Sequence, residues 1–171
     1  MYEVNIKKED VIKAKKMAKE MGVLNKSIEK GEGNVAGFLG EIIIANLFGV
    51  ELLNDKRKQT DYATYNYDLI INEQRVDVKT KRRSVKPKSY YDCSICAETQ
   101  IQDCDYYYFV SVLDDYSKAW VLGFYPSKKY LEDARFFRKG EIDPDNNFTF
   151  KTDVYNMKIS NLYTSELLKV A

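Results

Sequence analysis

Two aspartates and a lysine stand in strand-like segments where apolar residues would be expected. The stretch YDLIINEQRVDVKTK carries Asp68 in its first apolar run and Asp77 and Lys79 in its second. If Asn72 and Glu73 form a two-residue turn, Asp68 lies directly opposite Asp77, with the two Cβ atoms about 5 Å apart. A four-residue loop keeps both aspartates on one face, whereas a three-residue loop separates them. Strand alternation also places Lys79 on the face that carries Asp77.

This arrangement predicts a metal site. Two carboxylates so close repel each other and raise each other's pKa unless a cation lies between them. Hard oxygen ligands that leave room for several waters suit Mg²⁺. We therefore expect Asp68, Asp77 and Lys79 to form a surface cluster at one edge of a sheet. The alternative is two exposed aspartates balanced by a lysine, with no chemical role.

A third carboxylate stands alone in an apolar helix. Glu41 is the only charged residue between Asn34 and Glu51. Burial of an unpaired carboxylate is costly, so Glu41 should be neutral, paired or bound to a metal. Gly37 and Ala45 share its stripe of the helix, and their small size predicts that this stripe approaches a sheet, with Glu41 directed at it. An ion pair is the simpler alternative.

A basic run follows Lys79 directly. The stretch KTKRRSVKPKSYY has six lysines and arginines and no acid, although the whole chain has a net charge of only +1. A local basic loop can bind a phosphate backbone without making the protein basic, and a solvated charge run is the alternative. Tyr90 or Tyr91 could stack on an unpaired base, although half-buried strand tyrosines are commoner. The predicted nucleic-acid-binding residues are Lys81, Arg82, Arg83, Lys86 and Lys88.

The chain has no histidine and three cysteines. The absence of histidine excludes Ser-His-Asp triads, Cys-His proteases, HNH nucleases and His-ligated zinc. Cys93 and Cys96 form a CxxC with Cys104 nearby, but a strand through this segment would send the first two thiols to opposite faces. A redox or scaffold protein built on the CxxC stays an alternative. An odd cysteine number does not suggest a disulfide framework, so we predict a cytoplasmic protein.

The remaining residues predict the elements that hold this cluster. A chain of 171 residues with 44% hydrophobic content fits one compact domain, and no apolar run is long enough for a membrane span. A helix is expected in EDVIKAKKMAKEMG and a second, capped by Asn34 and ended by Gly49, in VAGFLGEIIIANLF. The further predictions are strands at 67–71, 75–80 and 90–97 and in YYYFVSVL and AWVLGFY, a helix in SKKYLEDARFF, a strand near NFTFK, and a strand with a final turn or helix in YNMKISNLYTSELLKVA. This order predicts an α/β or α+β domain with a central mixed sheet flanked by helices.

These residues together resemble the PD-(D/E)xK nuclease superfamily. A helical glutamate in GFLGE, an aspartate in YDLII and the Asp-x-Lys of VDVKTK occur in that family's order. The likeness to uncharacterised phage-type members covers roughly residues 34–168, including the DYYYFVSVL strand and the MKISNL segment. Tyr67 departs from the family by replacing a proline, and Asp77 stands where glutamate is commoner. The resemblance implies a restriction-endonuclease-like domain at 34–171, with residues 1–33 as an appended helix and loop.

The resemblance also implies a function, a metal-dependent DNA nuclease that hydrolyses phosphodiester bonds. Asp68 and Asp77, with the Val78 carbonyl and Glu41, would bind Mg²⁺ or Mn²⁺, and Lys79 would orient the attacking water. Gln100 or Gln102 would assist, because Gln102-x-x-x-Tyr106 has a spacing found in one branch of the superfamily. DNA is the expected partner, and a small domain that cuts two strands is expected to form a homodimer. Two alternatives stay open, a catalytically inactive nucleic-acid-binding protein of the same fold and a resolvase-type nuclease selective for junctions or flaps. The composition hints at a viral source.

Overall fold

The computed structural model describes residues 1–21, 32–53, 67–97 and 102–164. Its three α-helices are α1 (Lys8–Met21), α2 (Glu32–Phe48) and α3 (Ser127–Asp133). Its strands are β1 (Tyr2–Asn5), β2 (Leu69–Ile71), β3 (Gln74–Arg83), β4 (Asp92–Cys96), β5 (Tyr106–Leu113), β6 (Lys118–Pro126), β7 (Arg135–Phe137) and β8 (Val154–Lys158), followed by the 3-10 helix Ile159–Asn161.

The strands form two sheets. The larger is a curled five-stranded sheet in the order β1-β6-β5-β3-β2, in which β3 and β5 run parallel and the other neighbours antiparallel. The smaller is antiparallel, in the order β4-β8-β7. The protein is therefore a mixed α+β fold, as the order of elements predicts. No helix in the described ranges is long and apolar enough to cross a membrane.

The large sheet separates two cores. Helices α1 and α2 cover one face, where Val76 and Val78 point into a cluster with Leu39 and Ile44 of α2. The other face packs against the small sheet and α3 through a second cluster that centres on Tyr107 and includes Phe109, Trp120, Tyr130 and Met157. Strand alternation directs Asp77 and Lys79 toward this second face. The two cores thus hold the two faces of β3 in different surroundings.

The hairpin of β2 and β3 has the predicted register. Ile71 pairs with Gln74 and Leu69 with Val76, so the loop contains two residues. Asn72 and Glu73 both have left-handed φ angles, 48° and 65°, as a type I′ turn requires. The predicted two-residue turn is thus confirmed, and Asp68 lies one residue before the paired part of β2, next to the strand that carries Asp77.

Helix α2 approaches β3 through Gly40. A Cβ atom added at Gly40 would lie 1.9 Å from Thr80 Oγ1, whereas one added at Gly37 would meet nothing within 4 Å. The prediction that Gly37 and Ala45 form the approaching stripe is therefore wrong, because the helix is rotated so that the glycine next to Glu41 contacts the sheet. The tight contact fixes α2 against the strand that carries Asp77 and Lys79.

The ends of α2 bear out one prediction and correct another. Gly49 has φ 65°, and the Val50 N–H donates to the Ala45 carbonyl at 3.0 Å, the pattern of a Schellman C-cap. The predicted end at Gly49 is thus confirmed. The helix begins at Glu32, so Asn34 lies inside the first turn and not at the cap.

Three other segments differ from the prediction. Strand β1 was not expected, because four residues without strict alternation give a weak signal, and it gains its order from pairing with β6. Helix α3 ends at Asp133 and Arg135 begins β7, so the predicted helix is too long. The segment near NFTFK forms only an isolated bridge between Ile142 and Thr149. The predicted final turn or helix falls mainly on residues 165–171, outside the described ranges.

Candidate active site

The centre of the candidate site is the pair Asp68 and Asp77. The Asp68 N–H donates to the Val76 carbonyl at 2.8 Å, which extends the β2–β3 ladder by one residue. The Val78 N–H in turn donates to Asp68 Oδ2 at 2.7 Å, so the Asp68 carboxylate lies against the backbone of β3 next to Asp77. The hairpin therefore brings together the two carboxylates that the sequence singles out.

Lys79 completes the cluster. Its Nζ lies 2.7 Å from Asp77 Oδ2, and the two side chains are 24% and 7% exposed. At this distance the two groups form a close, largely buried ion pair, and no described group other than Lys79 meets the buried oxygen Asp77 Oδ2. The predicted surface cluster is thus largely buried, because the small sheet and α3 cover this face of β3.

Burial and mutual repulsion shift the titration of the pair. Desolvation and then the charge of Asp77 raise the pKa of Asp68 to about 7, against the opposing effects of the Val78 N–H and of Lys79. Desolvation also raises the pKa of Asp77, although Lys79 opposes it. Burial alone would lower the pKa of Lys79, but the negative charges of Asp77 and Asp68 outweigh it and raise that pKa. Lys79 therefore stays cationic, while Asp68 titrates near neutral pH beside an Asp77 whose pKa is also raised.

The donor set suits a small divalent cation held by two protein carboxylates. Two carboxylates share this place with the one ammonium of Lys79, and the raised pKa of Asp68 marks it as a place where added positive charge would be favourable. Mg²⁺ commonly uses one or two carboxylates and keeps several waters. Within the described ranges, no three His, Cys, Asp or Glu side chains come close enough to hold a metal ion. A metal here would thus take two carboxylates, with backbone oxygen and water filling its other positions.

Glu41 is buried, 9% exposed, beside the contact of Gly40 with Thr80. It does not join Asp68 and Asp77 in a three-carboxylate cluster among the described residues. Its helix nevertheless packs on the strand that carries Asp77, on the opposite face of β3. The structure thus brings Asp68, Asp77 and Lys79 together, and it places Glu41, buried, on the helix that packs on their strand.

Two residues near the cluster were missed by the sequence reasoning. Tyr107 pairs with Asp77 in the parallel register, is fully buried, and has its ring centroid 5.7 Å from Lys79 Nζ. Cys104 is buried nearby, and desolvation followed by the charge of Asp77 raises the pKa of its thiol to about 12. Only the non-local pairing of β3 with β5 brings them here, and no local pattern signals it.

The predicted basic residues divide into two groups. Three have structural partners: Arg82 pairs with Asp114 at 3.5 Å, Lys86 with Glu3 at 3.3 Å, and Arg83 donates to Ser111 Oγ and to the Asp92 carbonyl. Lys81 is exposed and forms no ion pair with another described residue, and Lys88 lies over the Tyr90 ring at 5.6 Å. Lys81 and Lys88 are therefore the members of the run best placed to meet a ligand.

The remaining candidates are the cysteines of the CxxC and the two predicted glutamines. Cys93 is buried in the second core and Cys96 lies on the other face of β4, so the prediction of opposite faces is confirmed, and neither thiol forms a disulfide. Burial raises the pKa of Cys93 to about 12, far from a reactive thiolate. Gln102 is half-buried, and its Oε1 has no hydrogen-bond partner in the described part of the chain. Gln100 lies outside the described residues.

No family model matches the chain, and no curated protein matches it.

Proposed function

We propose that this protein is a metal-dependent DNA nuclease of the restriction-endonuclease-like class. The observation that carries the proposal is the buried pairing of Asp68 with Asp77, with Lys79 Nζ 2.7 Å from Asp77. A purely structural pair of aspartates would be expected at an exposed or fully hydrogen-bonded position. In this pair Asp77 Oδ2 is buried with Lys79 as its described partner, and desolvation and the charge of Asp77 raise the pKa of Asp68 to about 7.

Asp68, Asp77 and the Val78 carbonyl would hold Mg²⁺ or Mn²⁺. Such an ion, when bound, lowers the pKa of a water molecule and neutralises negative charge on a phosphodiester. Asp68 would exchange its proton for the ion, which relieves the repulsion between the carboxylates of Asp68 and Asp77. The hydrogen bond from the Val78 N–H keeps the Asp68 carboxylate oriented throughout.

Lys79 would act as a fixed positive charge and not as a base. Its pKa is raised, so it keeps its proton at neutral pH. A protonated ammonium can orient a water molecule through its hydrogen bonds and stabilise charge that develops on the phosphate. Lys81, two residues further along the same face of β3, would contact the adjacent backbone phosphate.

The test is cleavage of labelled DNA in Mg²⁺ or Mn²⁺. A panel of linear duplex, single strand, flap, four-way junction and circle identifies the substrate. Asp77→Asn should abolish cutting, and Lys79→Met should slow it roughly 10²- to 10³-fold, the usual loss for one electrostatic contact in a transition state. Asp115→Asn and Lys129→Met, both at exposed positions remote in sequence from the pair, serve as matched controls that should keep full activity. Binding without cutting under every metal would instead favour the catalytically inactive alternative.

A further inference from the structure

A groove of about 670 Å³ opens beside the candidate site. It lies between the end of β3, the small sheet and the segment from Asp143 to Thr152, and its lining begins at Lys81. Lys81 follows Lys79 by two residues on the same face of β3, which places the two about 7 Å apart along the strand. The groove therefore continues the candidate site along β3.

Aromatic rings form part of the groove wall. Tyr90 is 58% exposed and Phe148 is 51% exposed, both unusual for large apolar rings on a surface. Tyr91 packs edge-on against Tyr90 at 5.2 Å, and the Arg83 guanidinium lies 5.1 Å from the centroid of the Tyr91 ring. These contacts hold the tyrosine pair in place, and although Lys88 Nζ lies 5.6 Å from the centroid of the Tyr90 ring, more than half of Tyr90 stays exposed to a ligand.

One buried acceptor in the groove lacks a hydrogen bond. The Asp92 side chain is 10% exposed, and its Oδ1 is buried without a hydrogen-bond partner. The closest cation, Arg135 Nη2, lies 3.9 Å away, too far for a hydrogen bond. The neighbouring acids differ: Asp143 accepts from the Asp145 N–H and from Asn146, and Asp145 pairs with Arg135 and Lys158. Asp92 thus lines the groove with a carboxylate that has one oxygen without a hydrogen bond and a long ion pair to Arg135.

The charge of the groove argues against a phosphate as its occupant. Its lining has three basic side chains, from Lys81, Arg83 and Lys151, and three acidic ones, from Asp92, Asp143 and Asp145. A phosphate site would have an excess of positive charge. A balanced groove with an exposed aromatic ring and a carboxylate oxygen that lacks a hydrogen bond instead suits a planar, uncharged group that donates N–H hydrogen bonds.

We propose that this groove binds one unpaired nucleobase with an exocyclic amino group, next to the phosphate at the candidate site. The base would stack on Tyr90 and donate its amino hydrogens to Asp92, while Lys81 contacts the backbone. This inference rests on the proposed function, because the nuclease site supplies the phosphate that fixes the strand. Since the base presents its pairing edge to Asp92, the substrate must be single-stranded or locally unpaired there.

The test is binding of labelled, short single strands of cytosine or of thymine, measured by fluorescence anisotropy in EDTA. Cytosine carries the amino group and thymine does not. We expect the cytosine strand to bind about tenfold more tightly, as for one base-edge contact. Asp92→Asn should remove this preference, and Tyr90→Leu should weaken both strands roughly tenfold. Asp133→Asn and Tyr2→Leu, outside the groove lining, are the matched controls and should change neither affinity nor preference.

The outcomes separate this inference from the proposed function. Equal affinity for the two strands, or a cytosine preference that survives in Asp92→Asn, would overturn the base site even if the wild type cuts DNA. A preference lost in Asp92→Asn, together with no cutting in any metal, would support the base site and overturn the nuclease. Circular dichroism of each variant establishes that it is folded before its binding is compared.

Discussion

Replacement of Asp68 by asparagine should stabilise the protein at alkaline pH in the absence of metal. The raised pKa of Asp68 means that the folded protein favours its protonated form. Between about pH 4 and pH 7 the folded state binds more protons at this site than the unfolded state, so stability falls as pH rises through that window. Above pH 7 the Asp68 carboxylate is ionised in the folded protein, and its unfavourable burial lowers the free energy of unfolding by the full amount.

The size of this stabilisation follows from the difference between the pKa of Asp68 in the folded protein and its ordinary value. A rise from 3.8 to about 7 is roughly three pKa units, and each unit corresponds to about 1.4 kcal/mol. Solvent screens part of the total because Asp68 is only half-buried, so we expect about 2 to 4 kcal/mol. An asparagine oxygen can still accept the Val78 N–H, and its amide carries no charge to repel Asp77.

The assay is urea unfolding in EDTA at about pH 5 and about pH 8.5. Asp68→Asn should match the wild type at the lower pH and exceed its free energy of unfolding by about 2 to 4 kcal/mol at the higher. Asp115→Asn is the control of opposite sign, because two hydrogen bonds from Ser117 lower the pKa of Asp115. That variant should lose the same small amount of stability at both pH values, because Asp115 is ionised at each of them. An Asp68→Asn protein that is equally destabilised at both pH values would refute the reasoning.

Three further predictions follow from the same contacts. Gly40→Ala should destabilise the protein by about 1 to 3 kcal/mol in a thermal melt, because its methyl group would collide with Thr80. Gly37→Ala should be neutral or stabilising by up to about 1 kcal/mol. Equal effects of the two substitutions would contradict the packing of α2 on Thr80. Mg²⁺ at 100 times its Kd should stabilise the protein by about 2.7 kcal/mol near pH 8. The stabilisation should be much smaller near pH 5, because protons compete with the ion for Asp68 and Asp77. A thermal shift that does not depend on pH would place the ion elsewhere. Replacement of Cys93 and Cys96 by alanine should leave metal-dependent cutting unchanged, and its loss would favour the redox alternative.

The sequence predicts the hairpin well because its information is local. A two-residue turn and strict alternation determine which side chains of β2 and β3 share a face, and Asp68 and Asp77 meet accordingly. The end of α2 at Gly49 is local in the same way, since a glycine with positive φ is a common helix stop.

The parts that the sequence does not predict depend on non-local packing. Periodicity alone does not decide whether Gly37 or Gly40 of the same helix contacts β3, because that depends on the rotation of α2 against the sheet. Tyr107 meets Asp77 through parallel pairing of strands 30 residues apart. The burial of the cluster likewise comes from the small sheet, whose partners β4 and β8 lie far apart in the chain. Such contacts need tertiary information.

The measurement that tests the central claim most directly is a titration of Mn²⁺ followed by electron paramagnetic resonance near pH 8. The claim is that Asp68 and Asp77 together bind a divalent cation. The account predicts that the wild type and Asp115→Asn bind Mn²⁺ and reduce the free-ion signal until the site is saturated. Asp68→Asn and Asp77→Asn should each leave the free-ion signal unreduced. Binding that is unchanged in those two variants, or absent from the wild type, would contradict the account.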